Sequence, residues 1–145
     1  MLTLTRRIDH APRVHGVLAL PWAGRASGRL QAPLASGERV ALRLQPDCAA
    51  PLRHGDLLRG DDGRVVRIVA APEPTYALRC PDPLTLARCA LFLGGCRIQA
   101  QACHWGLRIR AAPALRALFD ALGAAVHEEL APFEPELLRH PGPVA

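Results

Sequence analysis

The hydrophobic pattern of this 145-residue chain changes at a proline-rich segment, residues 71–74. Before it, short apolar runs are separated by turn residues, which is typical of strands. After it, apolar residues recur at both strand and helix spacing. Pro72 and Pro74 lack a backbone N–H and should interrupt strand and helix alike. We therefore predict two domains, 1–72 and 73–131, that meet at this segment.

The first domain has the pattern of a small all-β domain. Residues 13–20 form an apolar run, and residues 38–44 alternate with a period of two. An Asp-Gly pair at 62–63 favours a tight hairpin turn before the apolar run 64–71. Short strands separated by turns predict a β-sandwich or a barrel over residues 1–72.

The second domain alternates between strands and helices. Asp82 followed by Pro83 is a helix start, and Gly94-Gly95 should stop that helix. The predicted elements are a strand over 75–80, a helix over 83–95, strands over 96–103 and 107–110, a helix over 113–123 and a strand over 124–130. This β-α-β-β-α-β order predicts a ferredoxin-like domain and an α+β chain, followed by an extended tail over 132–145.

Composition excludes several classes of protein. No apolar run approaches the ~20 residues of a membrane span. The net charge is +5 and all 18 basic residues are Arg, but acidic residues are interleaved with them. The predicted strands of the second domain offer one aromatic side chain, Tyr76, for base stacking. We therefore expect neither a membrane protein nor a nucleic-acid-binding protein.

Cysteine usage and the N-terminus predict a cytoplasmic location. The chain has five cysteines, an odd number, and no CxxC motif. No apolar segment precedes Arg6 and Arg7 as in a secretory signal. Reduced thiols in a cytoplasm are the expected state.

No catalytic motif stands out in the sequence. The serines, Ser27 and Ser36, lie outside any G-x-S-x-G elbow, and the chain has no lysine to complete a P-loop. Asp61 and Asp62 precede a glycine and are typical of a turn. We expect a protein that is not an enzyme.

Five stretches, in order along the chain, resemble the urease accessory proteins of the UreE type, which are nickel metallochaperones. They are Leu20-Pro21-Trp22 with Arg25 and Gly28-Arg29-Leu30, Leu52-Arg53-His54-Gly55-Asp56-Leu57-Leu58, Asp62-Gly63 through Pro72-Glu73, Leu93-Gly94, and Leu115, Leu118 and Leu122-Gly123 with Ala131-Pro132-Phe133-Glu134-Pro135-Glu136. The resemblance implies an N-terminal β domain that binds other proteins and a ferredoxin-like domain that binds metal and forms a homodimer. It implies nickel as the metal, and urease apoprotein and the other accessory proteins, including the assembly GTPase, as partners.

The chain departs from this family where the family binds metal. Pro113 occupies the position of the histidine in the family's Asp-His-Val-Leu motif, and proline cannot ligate a metal. The family's His-Leu-Gly-Asn-Arg-His motif is Phe-Leu-Gly-Gly-Cys-Arg at 92–97, which removes both histidines. The C-terminal segment holds a single histidine, His140. The family's metal ligands therefore have no counterpart in this sequence.

Cys103 and His104 form the densest pair of metal-capable side chains. A thiolate and an imidazole suit Ni²⁺, Zn²⁺ or copper, and the same pair from a second subunit would complete four ligands. Cys96 is a further candidate, although in a regular strand it would face away from Cys103. The alternative is that Cys103 packs in the core and His104 serves the turn. Two functions therefore stay open: a nickel chaperone with a rewired site, or a metal-free docking module in urease assembly.

Overall fold

The computed structural model describes residues 1–45 and 50–137. The chain divides into two compact units, Met1–Pro72 and Glu73–Ala145. Among the residues that are described, no helix is long and apolar enough to cross a membrane.

The N-terminal unit is built on one six-stranded sheet with the order β2-β6-β5-β1-β4-β3. Its elements are β1 (Leu2–Ile8), β2 (Gly16–Leu20), α1 (Trp22–Ser27), β3 (Arg29–Pro33), β4 (Arg39–Arg43), β5 (Leu57–Gly60) and β6 (Val65–Ala70). Strand β1 runs parallel to β4, and β2 runs parallel to β6. The unit is mostly β, as predicted, and contains one short helix, α1, that was not predicted.

The two edges of this sheet approach each other, as they do in a barrel. Strands β2 and β3 are the edge strands. Just after β3, the amide of Ala35 donates a hydrogen bond of 2.9 Å to the carbonyl of Val17 in β2. Leu4, Leu18, Leu58 and Ile68 are fully buried inside. Strands β1 and β3 were not predicted. Strand β3 has one large apolar residue, Leu30, and strand β1 pairs with β4 and β5, which are distant in sequence.

The C-terminal unit has a four-stranded sheet with the order β10-β7-β9-β8. Its elements are β7 (Pro72–Arg79), α2 (Pro83–Gly95), β8 (Gln101–Cys103), β9 (Gly106–Arg110), a 3₁₀ turn (Pro113–Leu115), α3 (Arg116–Leu122) and β10 (Ala125–Pro132). Numbered within the unit, the strand order is 4-1-3-2, and the β-α-β-β-α-β prediction is confirmed. Both helices pack on one face through a core that contains Tyr76, Leu78, Leu93, Ile109 and Phe119.

The prediction that the prolines at 72 and 74 interrupt the strand is wrong. Strand β7 begins at Pro72 and contains both prolines. The carbonyl of Pro74 accepts a 3.0 Å bond from the amide of Ala111, so Pro74 takes part in the sheet through the group it retains. Prolines are tolerated in the first residues of a strand because the lost donor lies where pairing begins.

Two other boundaries differ from the sequence prediction. Strand β8 covers 101–103 rather than 96–103, because the turn that ends α2 occupies residues 96–98. Strand β10 extends to Pro132, the first residue of the predicted tail. Phe133 follows it and is fully buried, and the amide of Glu136 donates to the carbonyl of Ala100 at 2.9 Å.

Candidate metal site

The candidate ligands Cys103 and His104 lie at the tip of the β8–β9 hairpin. Cys103 is the last residue of β8 and pairs with Gly106, the first residue of β9. His104 and Trp105 form the two-residue turn between them. The predicted turn at this place is therefore confirmed.

Gly106 holds this hairpin close to the neighbouring strand. Its φ of 149° lies in a region that favours glycine, and a Cβ atom here would overlap the carbonyl oxygen of Leu78 in β7. The backbone of the turn is thus fixed against the central strand. A ligand pair at the tip would start from a defined backbone position.

The Cys103 thiol is half-buried and protonated at neutral pH. Burial raises its pKa above the ordinary value of 9.0, and the positive charge of Arg108 offsets this only in part. Glu136 and Glu129 raise the pKa of Cys103 further. The thiol donates a weak hydrogen bond, 3.9 Å long, to the carbonyl of Gln101. A metal must therefore displace a proton to bind this sulfur.

Charged and aromatic groups order the rest of the turn. His104 is exposed, whereas Trp105 is half-buried and lies close to two guanidinium groups. The Arg79 guanidinium lies 4.7 Å from the Trp105 ring centroid, and that of Arg108 lies 5.2 Å away. Arg108 Nη2 donates a 2.6 Å hydrogen bond to Glu129 Oε1. These contacts tie the hairpin tip to β7 and β10, next to the Cys103 sulfur.

One subunit offers few metal ligands at this position. Within residues 1–45 and 50–137, no group of three or more His, Cys, Asp or Glu side chains is placed to hold a metal ion. Cys103 and His104 therefore constitute a pair, and a four-coordinate metal would need ligands from outside the subunit.

The structure does not add Cys96 to this pair. Cys96 is exposed and caps the C-terminus of α2, outside strand β8. The prediction that Cys96 and Cys103 lie on opposite faces of one strand is wrong, because β8 begins at Gln101 and does not include Cys96. Cys96, Cys103 and His104 do not form a three-ligand group.

The positions of the lost family histidines now have other roles. Pro113 is exposed and opens the 3₁₀ turn before α3. Phe92 is partly buried, and its ring meets that of Phe119 edge-to-face at a centroid distance of 6.0 Å. Of the three positions, 113 has become a surface turn, 92 a packing contact, and 97 an arginine with positive φ in the turn that ends α2.

A second thiol pair, Cys80 and Cys89, lies in the core rather than at the surface. Cys89 is fully buried, and Cys80 packs against the same cluster. Burial raises the pKa of Cys80 to about 11, and its hydrogen bond with the Cys89 thiol contributes to the rise. No sequence motif predicted this pair, because Cys80 lies at the end of β7 and Cys89 lies in the middle of α2. Cys48 and His140 lie outside the described residues.

Comparison with known proteins places the whole chain in one family. Residues 4–71 match the N-terminal domain of the UreE urease accessory protein, and residues 73–142 match its C-terminal domain. A protein named urease accessory protein UreE from Janthinobacterium sp. (strain Marseille) is 47% identical over 136 residues, covering 94% of this chain and 79% of that protein. The protein of the same name from Nitrosospira multiformis is 48% identical over 136 residues, covering 94% of this chain and 76% of that protein. The chain therefore belongs to the UreE family of urease accessory proteins.

Proposed function

We propose that this protein assists urease maturation as a chaperone that binds nickel and delivers it to the urease apoprotein. The observation that carries the proposal is the 47% identity, over 94% of the chain, to a protein named urease accessory protein UreE. The protein then acts in the cytoplasm, performs no catalysis itself, and works with the other accessory proteins, including the assembly GTPase.

Nickel, as cargo, binds Cys103 and His104 in this proposal. The pair lies at a hairpin tip whose backbone is fixed by Gly106, and the imidazole of His104 is exposed to an incoming ion. Nickel accepts both nitrogen and sulfur ligands. Zn²⁺ and copper ions suit the same donors, so selectivity is part of the test.

A homodimer supplies the remaining ligands. Ala114, Ala117 and Ala121 lie around helix α3 with exposed small side chains that permit close approach of a second copy. Three large apolar side chains on α2 are also exposed, Leu84 at 58%, Leu86 at 37% and Leu91 at 76%. These surfaces support a dimer through the C-terminal unit, in which two Cys-His pairs provide four donors.

Calorimetric titration of the reduced protein with Ni²⁺ tests this proposal. We expect binding that weakens as the pH falls below neutrality, because the Cys103 proton must leave, and a near-ultraviolet thiolate-to-nickel absorption band. The double variant Cys103→Ala, His104→Ala should lose both signals and remain a dimer by light scattering. Cys96→Ala is the matched control and should keep both. Binding that survives the double change contradicts the site.

Restoring the family ligand gives an independent test. Pro113 is exposed, so Pro113→His should fold normally. If two subunits meet near the start of α3, this variant gains a nickel site that needs no thiolate and shows no thiolate band. A strictly monomeric protein contradicts the proposed dimer, and no gain in nickel affinity by a dimeric variant contradicts a dimer that meets at the start of α3.

The second candidate function is a metal-free docking module in the urease assembly complex. It is favoured by one observation: the described residues hold no group of three potential metal ligands. Co-purification with urease apoprotein from nickel-depleted cells, together with no Ni²⁺ binding by calorimetry, would establish this function in place of the first.

A further inference from the structure

The net positive charge of the chain comes from its N-terminal unit. Residues 1–72 contain 11 arginines and six acidic residues, whereas residues 73–145 contain seven of each. The net charge of +5 therefore belongs to the N-terminal unit. Within this unit, the six strands contain seven arginines and no Asp or Glu. The positive charge is thus concentrated on the sheet.

Four of these arginines form a row across four neighbouring strands. Strands β3, β4, β1 and β5 are adjacent in this order. Each contributes one member of the arginine row, which consists of Arg29, Arg43, Arg6 and Arg59. Arg29 lies directly opposite Arg43, and Arg6 lies directly opposite Arg59. The register of β1 with β4, in which Leu4 is opposite Leu42, places the two pairs at the same level of the sheet.

The arginine row lies on the outer face of the sheet. Side chains alternate between the two faces of a strand. Leu42 and Leu58 are buried in the core, so Arg43 and Arg59, which follow them, belong to the outer face. Residues directly opposite each other share a face, so the other two arginines lie there as well. All four arginines are exposed.

No residue that the structure describes neutralises the arginine row. Its four side chains make no hydrogen bond, ion pair or ring contact with a described residue. By contrast, Arg7 lies 3.6 Å from Asp56, and Arg64 pairs with Asp62 at 2.6 Å. Like charges directly opposite each other on neighbouring strands lower stability. Two such pairs on one face are therefore unfavourable for the isolated sheet and would be relieved by an acidic partner.

An apolar pair continues the outer face beside the row. Ile8 lies directly opposite Leu57, two residues along the strands from Arg6 and Arg59, and both are half-buried. Trp22 is the one aromatic residue among residues 1–72, and it is 2% exposed. The unit therefore presents no ring on which a nucleic-acid base could stack. Positive charge next to apolar side chains fits a protein segment better than a nucleic acid.

We propose that the arginine row is a docking surface for an acidic segment of a partner protein. A guanidinium group donates two parallel hydrogen bonds to a carboxylate, and each pair of arginines offers two such groups. Four neighbouring strands span about 15 Å, which an extended segment of about five residues would cover. Ile8 and Leu57 would contact an apolar side chain of the same segment. This inference rests on the proposed function in that the protein works with partner proteins, and it does not involve nickel.

The test is fluorescence anisotropy of a labelled peptide in which Glu and Leu alternate, titrated with the full-length protein at low ionic strength. We expect saturable binding that weakens as salt is added, because exposed charges are screened. The double variant Arg43→Gln, Arg59→Gln should weaken binding about tenfold or more, because each pair loses one bidentate donor. Its urea midpoint of unfolding should equal or exceed that of the wild type, because both like-charged pairs are broken. Binding that is lost without a loss of stability is a result that a structural role of these arginines does not give.

The matched control is the double variant Arg13→Gln, Arg88→Gln. It removes the same amount of charge at two exposed positions outside the row and should leave peptide binding nearly unchanged. Equal weakening by the two double variants overturns the site, because net charge alone would then explain binding. No saturable binding by the wild type also overturns it.

Two further measurements separate this proposal from its alternatives. A single-stranded oligonucleotide that binds more tightly than the peptide at the same salt concentration, and loses affinity in the row variant, overturns the assignment to a protein segment. Both double variants should bind Ni²⁺ as the wild type does in calorimetry. Loss of Ni²⁺ binding in the row variant would contradict a docking surface that is independent of nickel, whereas a wild type that binds the peptide but no Ni²⁺ contradicts the nickel proposal alone.

Discussion

The residues at the family motifs differ in burial between the two units. In the N-terminal unit, the motif residues Trp22 and Arg25 are buried, with exposed fractions of 2% and 0%. In the C-terminal unit, two residues at the altered metal motifs, Cys96 and Pro113, are exposed, and a third, Phe92, is only partly buried. The difference teaches that the altered motif positions 96 and 113 support little of the fold, whereas the retained motif residues Trp22 and Arg25 are part of the core.

Arg25 shows what fixes a motif residue in the N-terminal unit. Its Nε donates to the carbonyl of Leu20 at 3.1 Å, and its Nη1 lies 3.4 Å from the carbonyl of Leu52. Its guanidinium carbon lies 5.3 Å from the centroid of the Trp22 ring. A buried charge is tolerated when its donors are satisfied in this way, and no other side chain offers the same fork of donors.

Arg25→Ala should therefore have the largest effect of the changes considered. It leaves the carbonyls of Leu20 and Leu52 without these donors and opens a cavity, which together should lower the free energy of unfolding by about 3–5 kcal/mol. Urea denaturation measures it. Arg29→Ala, at an exposed position four residues later, is the control and should change stability by less than about 0.5 kcal/mol. Similar effects of the two changes would remove the contrast between the units.

Gly106→Ala tests whether the C-terminal unit also has a position where a substitution strongly lowers stability. The new Cβ overlaps the carbonyl of Leu78, so the hairpin must move away from β7, at a cost of about 2–4 kcal/mol. The control is Gly94→Ala, where no atom lies within 4 Å of the added Cβ. Alanine in a helix is favoured over glycine, so this change should stabilise by about 0.5–1 kcal/mol. Loss of stability in both variants would mean that general crowding, rather than one backbone contact, limits the unit.

Much of this fold follows from local sequence signals. Asp82 accepts a 2.7 Å bond from the amide of Thr85, as expected of a helix cap before Pro83. The alternation in 38–44 gives β4, and the Asp-Gly pair gives the turn between β5 and β6. Strand β1 was missed because its partners β4 and β5 are distant in sequence, and tertiary pairing, not local pattern, makes it a strand.

The candidate site was less predictable for a physical reason. Sequence analysis found Cys103 and His104 as adjacent ligands, and the structure adds how Gly106 and Trp105 hold their hairpin. The sequence could not show that Cys80 and Cys89 share the core, nor that the four members of the arginine row lie on neighbouring strands. Each group comes from different elements that are brought together by packing. The residue pattern within one strand or helix does not give the distance to a side chain on another element.

Phe92→His tests the one altered motif position that did become part of the core. The change replaces an apolar ring that packs against Phe119 with a polar imidazole, and should lower the free energy of unfolding by about 1–2 kcal/mol. Arg88→His, at an exposed position on the same helix that is already polar, should have almost no effect. Thermal unfolding followed by circular dichroism compares the two. If histidine at 92 has no effect on stability, the position is still free for a ligand, and the contrast with Pro113 disappears.

Asp82→Ser should have the smallest effect, and one that depends on pH. Hydrogen bonds from the amide and hydroxyl of Thr85 hold the pKa of the Asp82 carboxyl below its ordinary value of 3.8. Because the folded-state pKa is lowered, the carboxylate contributes stability above pH 3.8, and this contribution is lost as the pH falls through the folded-state pKa. Serine still caps the helix through its hydroxyl but has no such titration. The stability difference between wild type and variant, measured by urea unfolding at several pH values from 7 to 2, should therefore shrink at the acid end.

Asp9→Ser is the control, since no described residue donates a hydrogen bond to the Asp9 side chain, and its difference from wild type should not follow this course. A difference for Asp82→Ser that is constant over the whole range would show that the cap acts without its charge.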